Sequence, residues 1–177
     1  MLNTIHPSDD SGGASVTLAL QDEPDTLALG EAIGRSLEPG LQLWLQGNLG
    51  AGKTTLTRGM LRGLGHTQKV KSPTYTLIEP YLVSRLDFYH FDFYRFDSPG
   101  EYLEAGLDEY FAGQGVCVVE WPDKARPHLP QPDVEIHLSL AGEGRQATVT
   151  AKTATGHACL NRLVEQLNTP GSATRPA

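Results

Sequence analysis

The sequence predicts an α/β domain: a mixed sheet flanked by helices, with antiparallel additions. In the first half, apolar runs of strand length alternate with stretches whose apolar residues recur every three or four positions. That order builds strands joined by helices. In the second half, two alternating segments flank Ala141-Gly142-Glu143-Gly144, the pattern of an antiparallel hairpin. The chain has 177 residues, room for one domain of ordinary size. About 70% of the unfolded surface can be buried at this length, so a core forms without disulfide or metal staples.

Taken in order, Val16–Leu20 alternates and reads as the first strand. Asp22, with Asp25 three residues on, offers an N-cap to a helix carrying Leu27, Gly30, Ile33 and Leu37 at helical spacing; Pro39-Gly40 ends it. Leu41–Leu45 is the second strand. A glycine-rich turn leads from it into a helix with Leu56, Met60 and Leu64 in register and Gly65 at its end. Thr76–Val83 and Leu86–Phe93 read as extended segments across a short turn. Ser98–Phe111 reads as one short helix, with Ser98 as cap and Pro99 in the first turn. Val116–Val119 is apolar throughout, as a strand covered on both faces would be. Val134–Leu140 and Arg145–Ala151 form the hairpin, and Leu160, Leu163, Val164 and Leu167 mark a final amphipathic helix. Residues 1–14 are expected to be a flexible leader and 168–177 a disordered tail, with no repeat or linker dividing residues 15–167.

Composition narrows the classes of function. Apolar residues make up 39% and charged residues 20%, which argues against a disordered chain. A formal charge of −7 and a pI of about 5.3 disfavour a broad basic face for nucleic acid. No apolar run approaches the roughly 18–20 residues of a membrane helix. The N-terminus lacks a charged segment followed by a long apolar one, so no signal peptide is indicated and the cytoplasm is the expected location. Cys117 and Cys159 match no zinc or redox spacing and are expected to be reduced and buried.

Gly47-Asn48-Leu49-Gly50-Ala51-Gly52-Lys53-Thr54 fits the Walker A pattern G-x-x-x-x-G-K-[ST], with a strand entering and a helix leaving. The glycines let backbone N–H groups converge as an anion nest, and the helix N-terminus adds unpaired donors and partial positive charge. Lys53 is expected to reach the β- and γ-phosphates, the Thr54 hydroxyl to sit on Mg²⁺, and Thr55 to contact an upstream phosphate. From Pro39 to Ile78 there is no Asp or Glu, whereas Lys53, Arg58, Arg62, Lys69 and Lys71 fall in that window. An otherwise acidic chain thus keeps its acids away from the loop.

Hydrolysis needs a carboxylate near the metal and a group to place water. Glu120 closes the apolar run Val116–Val119, at the strand end where ligands gather in open α/β sheets, standing where Walker B has its acid. Asp92 lies within Tyr89-His90-Phe91-Asp92-Phe93-Tyr94-Arg95, where period two puts His90, Asp92 and Tyr94 on one face. A carboxylate among aromatic rings requires a partner. Asp92 either positions water, completes the metal shell, or is satisfied locally by Arg95, His90 or backbone; His90 reads as a packed strand histidine rather than a ligand. Asp87 and Asp97 read as turn residues. Ser72-Pro73-Thr74-Tyr75-Thr76 has hydroxyls that could sense a γ-phosphate, and Trp121-Pro122 could shape the strand exit.

These segments together, GNLGAGKTTLTRGMLRGLG at 47–65, VKSPTYTLIEPY at 70–81, YHFDFYRF at 89–96 and VVEWPDKA at 118–125, resemble one family. It is the bacterial TsaE (YjeE) ATPases of tRNA threonylcarbamoyladenosine modification, and the likeness covers about residues 16–165. The resemblance implies a P-loop NTPase-like fold and a small ATPase using ATP and Mg²⁺. It implies that Gly50, Ala51, Gly52, Lys53, Thr54 and Thr55 hold the phosphates, that Thr54 and Glu120 hold the metal, and that Asp92 is needed for turnover; the residues themselves add Lys53 and Glu120 to the expected catalytic set. It also implies that the Glu23–Thr26 segment lies by the adenine. The partner it implies is a TsaB–TsaD complex acting on adenosine 37 of tRNA, which this chain would meet only indirectly. Nucleotide binding would stabilise docking and hydrolysis would reset it. Turnover by the isolated chain is expected to be weak, with Arg95 and Arg126 the arginine-finger candidates in cis. The rival readings are a small-molecule kinase and a nucleotide-gated adaptor on the same fold.

Overall fold

A computed structural model describes residues 14–83 and 86–169. The expected leader and tail, apart from Ala14, Asn168 and Thr169, lie outside the described residues, as does the turn at Ser84-Arg85. Strand β1 (Ser15–Leu20) leads into helix α1 (Glu23–Ser36). Asp22 caps that helix by accepting from the Asp25 N–H at 3.0 Å, while the Asp25 carboxylate accepts from the Gln21 N–H at 2.8 Å, a reciprocal box that fixes the entry. Strand β2 (Gln42–Gln46) then feeds the glycine turn and helix α2 (Lys53–Gly63).

Strands β3 (Ile78–Val83) and β4 (Leu86–Asp92) are antiparallel neighbours. β3 begins two residues later than the pattern predicts. Residues 73–76 form a turn closed by the Leu77 N–H, which donates to the Pro73 carbonyl at 2.8 Å, and Leu77 takes φ 67°. Asp87, expected in a turn, is an exposed strand residue paired with Leu82. The expected helix over 98–111 is two single turns, α3 (Glu101–Glu104) and α4 (Asp108–Phe111), parted at Gly106 with φ 69°. Ser98 is not its cap: Gly100 takes that position, and the Glu101 carboxylate reaches back to the N–H groups of Asp97 and Ser98 at 2.6 and 2.9 Å. Strand β5 (Val116–Glu120) is buried at every position, and the hairpin is β6 (Val134–Ala141) with β7 (Gly144–Ala151). Helix α5 (Ala154–Asn168) closes the fold, capped by Thr153, whose hydroxyl accepts from the Gly156 N–H at 3.0 Å.

The seven strands form one sheet in the order β1-β7-β6-β2-β5-β4-β3. β6, β2, β5 and β4 run parallel at its centre, and the edges are antiparallel. This is the mixed, helix-flanked α/β architecture the sequence predicts. Alternation divides the core. Leu43 and Leu45 of β2, Phe88 of β4 and Val118 of β5 cluster with Leu29 and Ile33 of α1, Leu56 and Met60 of α2, and Leu160 and Leu163 of α5. On the other face Trp44, Phe91, Cys117 and Val119 cluster with Tyr102 and Phe111. Both cysteines are free and buried, and burial pushes the Cys117 thiol up to about 12 and Cys159 to about 11. Helices α1 and α2 touch backbone to backbone: a Cβ on Gly34 would stand 2.2 Å from the Met60 carbonyl oxygen. That contact sets α2, which carries the glycine turn at its head, against α1. Among the described residues no helix is long and apolar enough to cross a membrane.

Candidate functional site

The site lies where the parallel strands end. β2 runs into the loop 47–52, and β4 and β5 end beside it with Asp92 paired in register to Glu120. β2 pairs with β5 as well, Leu45 opposite Glu120. Topology alone therefore gathers the loop and both acids at one edge of the sheet. Gly52 caps α2 with φ 104°, a left-handed conformation open to glycine at little cost, and no side chain satisfies the first turn. The first turn of α2 thus has no side-chain cap, with the helix dipole behind it and no acid in that turn.

One cavity of about 350 Å³ is lined by loop residues Gly50, Gly52, Lys53, Thr54 and Thr55 on one side and Asp92 and Glu120 on the other; Ser72, Thr74 and Trp121 also face it. A second, of about 310 Å³, shares Gly50, Gly52 and Thr55 with the first and adds Ala51, Glu23, Thr26 and Arg145. The two adjoin at those three shared residues of the loop. Every residue predicted to hold phosphate or metal or to serve turnover lines one or the other, as do Glu23 and Thr26 of the segment predicted to lie by the adenine; the arginine-finger candidates do not. Glu23 sits at the outer end, its carboxylate 3.5 Å from the Arg58 guanidinium.

Lys53 is buried, and its ammonium donates to the Gly47 carbonyl at 2.5 Å and lies 3.8 Å from the centroid of the Trp121 ring. Burial lowers its pKa, against the opposing pull of the Glu120 and Asp92 charges. Asp92 is buried too. One carboxylate oxygen accepts from the Tyr94 N–H at 2.9 Å and the other from the Thr74 hydroxyl at 3.2 Å, so neither Arg95 nor His90 is its partner. Burial raises its pKa, helped by the charge of Glu120 and resisted by those hydrogen bonds. Glu120 Oε2 lies 2.7 Å from His90 Nε2 in a pair that solvent hardly reaches. His90 is the packed strand histidine expected, but it also holds a site acid, which its place in an aromatic strand did not reveal.

Among the described residues two that are not glycine take left-handed φ, Leu77 at 67° and Trp121 at 58°. Such a conformation costs roughly 1–3 kcal/mol; Trp121 lines the cavity and the Leu77 carbonyl accepts from the Asp92 N–H. The finger candidates stay outside it. Arg95 stacks 4.0 Å from the Tyr75 ring, and Arg126 pairs with Asp123 at 3.0 Å beside the Trp44 ring. The arginine that does touch the loop is Arg145, which no motif marked. Its Nε and Nη2 donate to the carbonyls of Ala51 and Gly50, each at 3.2 Å.

The oxygen donors facing the cavity, the Thr54 hydroxyl and the two carboxylates, suit a hard cation such as Mg²⁺. Among the described residues no three His, Cys, Asp or Glu side chains form a metal cluster. The set therefore fits an ion that keeps waters and phosphate oxygens in its shell, as Mg²⁺ does.

Residues 20–148 match the model of the family described as threonylcarbamoyl adenosine biosynthesis protein TsaE. The chain belongs to the TsaE family. It is 40% identical over 147 residues to a Haemophilus influenzae protein called tRNA threonylcarbamoyladenosine biosynthesis protein TsaE, covering 80% of this chain and 93% of that one. A Bacillus subtilis protein of the same name is 46% identical over 128 residues, covering 72% and 80%. The crystal structure of Bacillus subtilis YdiB superposes with a TM-score of 0.78 at 35% identity, over 90% of this chain and all of that one (100%). TsaE membership agrees with the fold and with the motifs that suggested it.

Proposed function

We propose that this chain binds Mg-ATP across the two adjoining cavities and hydrolyses it in support of tRNA N6-threonylcarbamoyladenosine formation, alongside a TsaB–TsaD complex. The observation that carries the reading is the shared cavity, an uncapped helix N-terminus and a buried lysine facing two buried acids on neighbouring strand ends. A triphosphate supplies the anion those donors lack, and its charge favours the ammonium form of Lys53 that burial opposes. Lys53 and the loop amides then meet the charge that develops on the transferring phosphoryl group.

The hydrogen bonds divide the acids. Both oxygens of Asp92 already accept, whereas Glu120 is tied through Oε2 and makes no hydrogen bond through Oε1 among the described residues. Glu120 Oε1 and the Thr54 hydroxyl are the oxygens for the metal. When bound, Mg²⁺ would neutralise charge on the β- and γ-phosphate oxygens. Asp92, with its raised pKa, is suited to orient the attacking water and take its proton. Thr74, on the loop facing the cavity, steadies that carboxylate. The adenosine end would extend along the second cavity towards Glu23 and Thr26. Because Arg95 and Arg126 face elsewhere, a stabilising arginine would come in trans, and turnover by the chain alone would be weak.

The test is steady-state ATP hydrolysis with and without a TsaB–TsaD complex, together with mass spectrometry of tRNA from depleted cells. Stimulation by the complex and loss of the modified nucleoside are expected. Normal modification after depletion, or ATP consumption that requires a small hydroxylated acceptor, would refute the reading.

A further inference from the structure

His90 is a titratable side chain against a site acid for which the reaction above has no use, and its setting is costly. It is fully buried in β4, with Nε2 2.7 Å from Glu120 Oε2 and with Nδ1 buried and lacking any hydrogen-bond partner. A bare polar atom in a core is tolerated only where something else requires the group. An apolar side chain of similar shape would remove that cost, since Leu86 and Phe88, which share its face of β4, already belong to the apolar core. The imidazole is therefore retained for its other nitrogen.

We propose that His90 is a positioning residue that fixes Glu120 as a metal ligand, an inference that rests on the Mg-ATP reading above. Parallel register places His90 opposite Val118 and Asp92 opposite Glu120, so the ring stands one pleat behind the acid pair on the same face of the sheet. From there Nε2–H donates to Oε2 and leaves Oε1 turned to the cavity. The bare Nδ1 fits this tautomer, in which it carries no proton to satisfy. A carboxylate on the last residue of a strand would otherwise swing about its side-chain torsions. Held through one oxygen, it presents the other in a single direction.

The experiment follows nucleotide binding rather than turnover. ATP affinity is measured by calorimetry across a Mg²⁺ titration and again in chelator, for the wild type, His90→Leu and His90→Gln. A Gln can return an N–H donor near the position of Nε2. Loss of such an outer partner typically weakens a metal site 10- to 100-fold. His90→Leu is expected to raise the Mg²⁺ concentration for half-maximal enhancement at least tenfold, to leave affinity in chelator within about twofold, and to be largely rescued in His90→Gln. Unchanged Mg²⁺ dependence in His90→Leu, or equal loss with and without metal, overturns the proposal. Imidazole ¹⁵N spectra of the unaltered protein provide a check that needs no variant: a proton on Nε2 supports the proposal and one on Nδ1 overturns it. A wild type whose ATP binding ignores Mg²⁺ overturns the ATPase reading itself, an outcome separate from failure of His90 alone.

Discussion

Asp92 and Glu120 are cross-strand partners, in parallel register at the ends of β4 and β5, and both are buried. The pairing is locked beyond the side chains: the Phe93 N–H donates to the Glu120 carbonyl at 3.1 Å, and the Asp92 N–H to the Leu77 carbonyl at 3.1 Å. Two carboxylates so close disfavour joint ionisation unless cations face them. Lys53 is one such cation, and a bound divalent ion would be a second.

Replacing the two acids separately is therefore expected to spare binding and remove turnover. Asp92→Asn should bind ATP within a few-fold of wild type while single-turnover hydrolysis falls by roughly 10²–10⁴-fold, the range for losing a positioned acid–base group. Glu120→Gln should also weaken the response to Mg²⁺, whereas Asp92→Asn should not. Rapid-quench kinetics and equilibrium nucleotide binding measure both. Loss of Mg²⁺ response in Asp92→Asn rather than Glu120→Gln would reverse the roles assigned.

The same Asp92→Asn change should stabilise the empty protein at neutral pH. Burial raises the Asp92 pKa in the folded state above its unfolded value. The native state therefore holds its proton more tightly, and stability falls as pH rises from the unfolded value through the folded one. Above that window the ionised carboxylate is a full burden. An amide keeps an acceptor for the Tyr94 N–H and can donate to Thr74, without the charge. Thermal melts should show a higher Tm for the variant at pH 7, converging with wild type near pH 4 and below. A variant that melts lower at pH 7 would show that the charge is better solvated than its burial implies.

The sequence made most of this arrangement legible because its signals were local. A glycine turn between a strand and a helix, and an acid at the end of an all-apolar strand, each read from adjacent residues, and the parallel order brought them together. What was not legible depends on distance along the chain or on backbone dihedrals. Arg145 reaches the loop from the far hairpin, 94 positions from Ala51, and nothing in its alternating neighbourhood marks it. The pairing of His90 with Glu120 spans 30 positions and depends on register, which no spacing encodes. Helical spacing over 98–111 concealed the break at Gly106, and the left-handed Leu77 delayed the start of β3.

Gly34→Ala is expected to loosen the loop from a distance. Its new methyl would meet the Met60 carbonyl at 2.2 Å, backbone against backbone, with no flexible side chain to give way. Forced overpacking costs typically 1–3 kcal/mol. For a chain of this size each kcal/mol lowers Tm by roughly 2–4 °C. Because α2 carries Lys53 at its head, ATP affinity should fall along with Tm. A Tm within 1 °C of wild type would mean that the helices part without penalty (about 0.5 kcal/mol at most by the same conversion).

Arg145→Ala tests whether the second hairpin braces the phosphate loop. Its guanidinium spans the carbonyls of Gly50, Ala51 and Gly144 and so ties the loop to β7. A peptide carbonyl and the following N–H point in opposite directions, so pinning the Ala51 carbonyl outward aims the Gly52 N–H inward, towards the anion. Without the guanidinium the loop has more conformations to lose on binding, and its affinity for ATP should fall about tenfold, or ~1.4 kcal/mol. Arg145→Lys should fall between, since an ammonium can satisfy one carbonyl but not the fork. Fluorescent-nucleotide titration reads the affinity, and amide exchange at 48–52 reads the loop. Faster exchange with unchanged affinity would mean that the brace orders the loop but takes no part in holding the triphosphate.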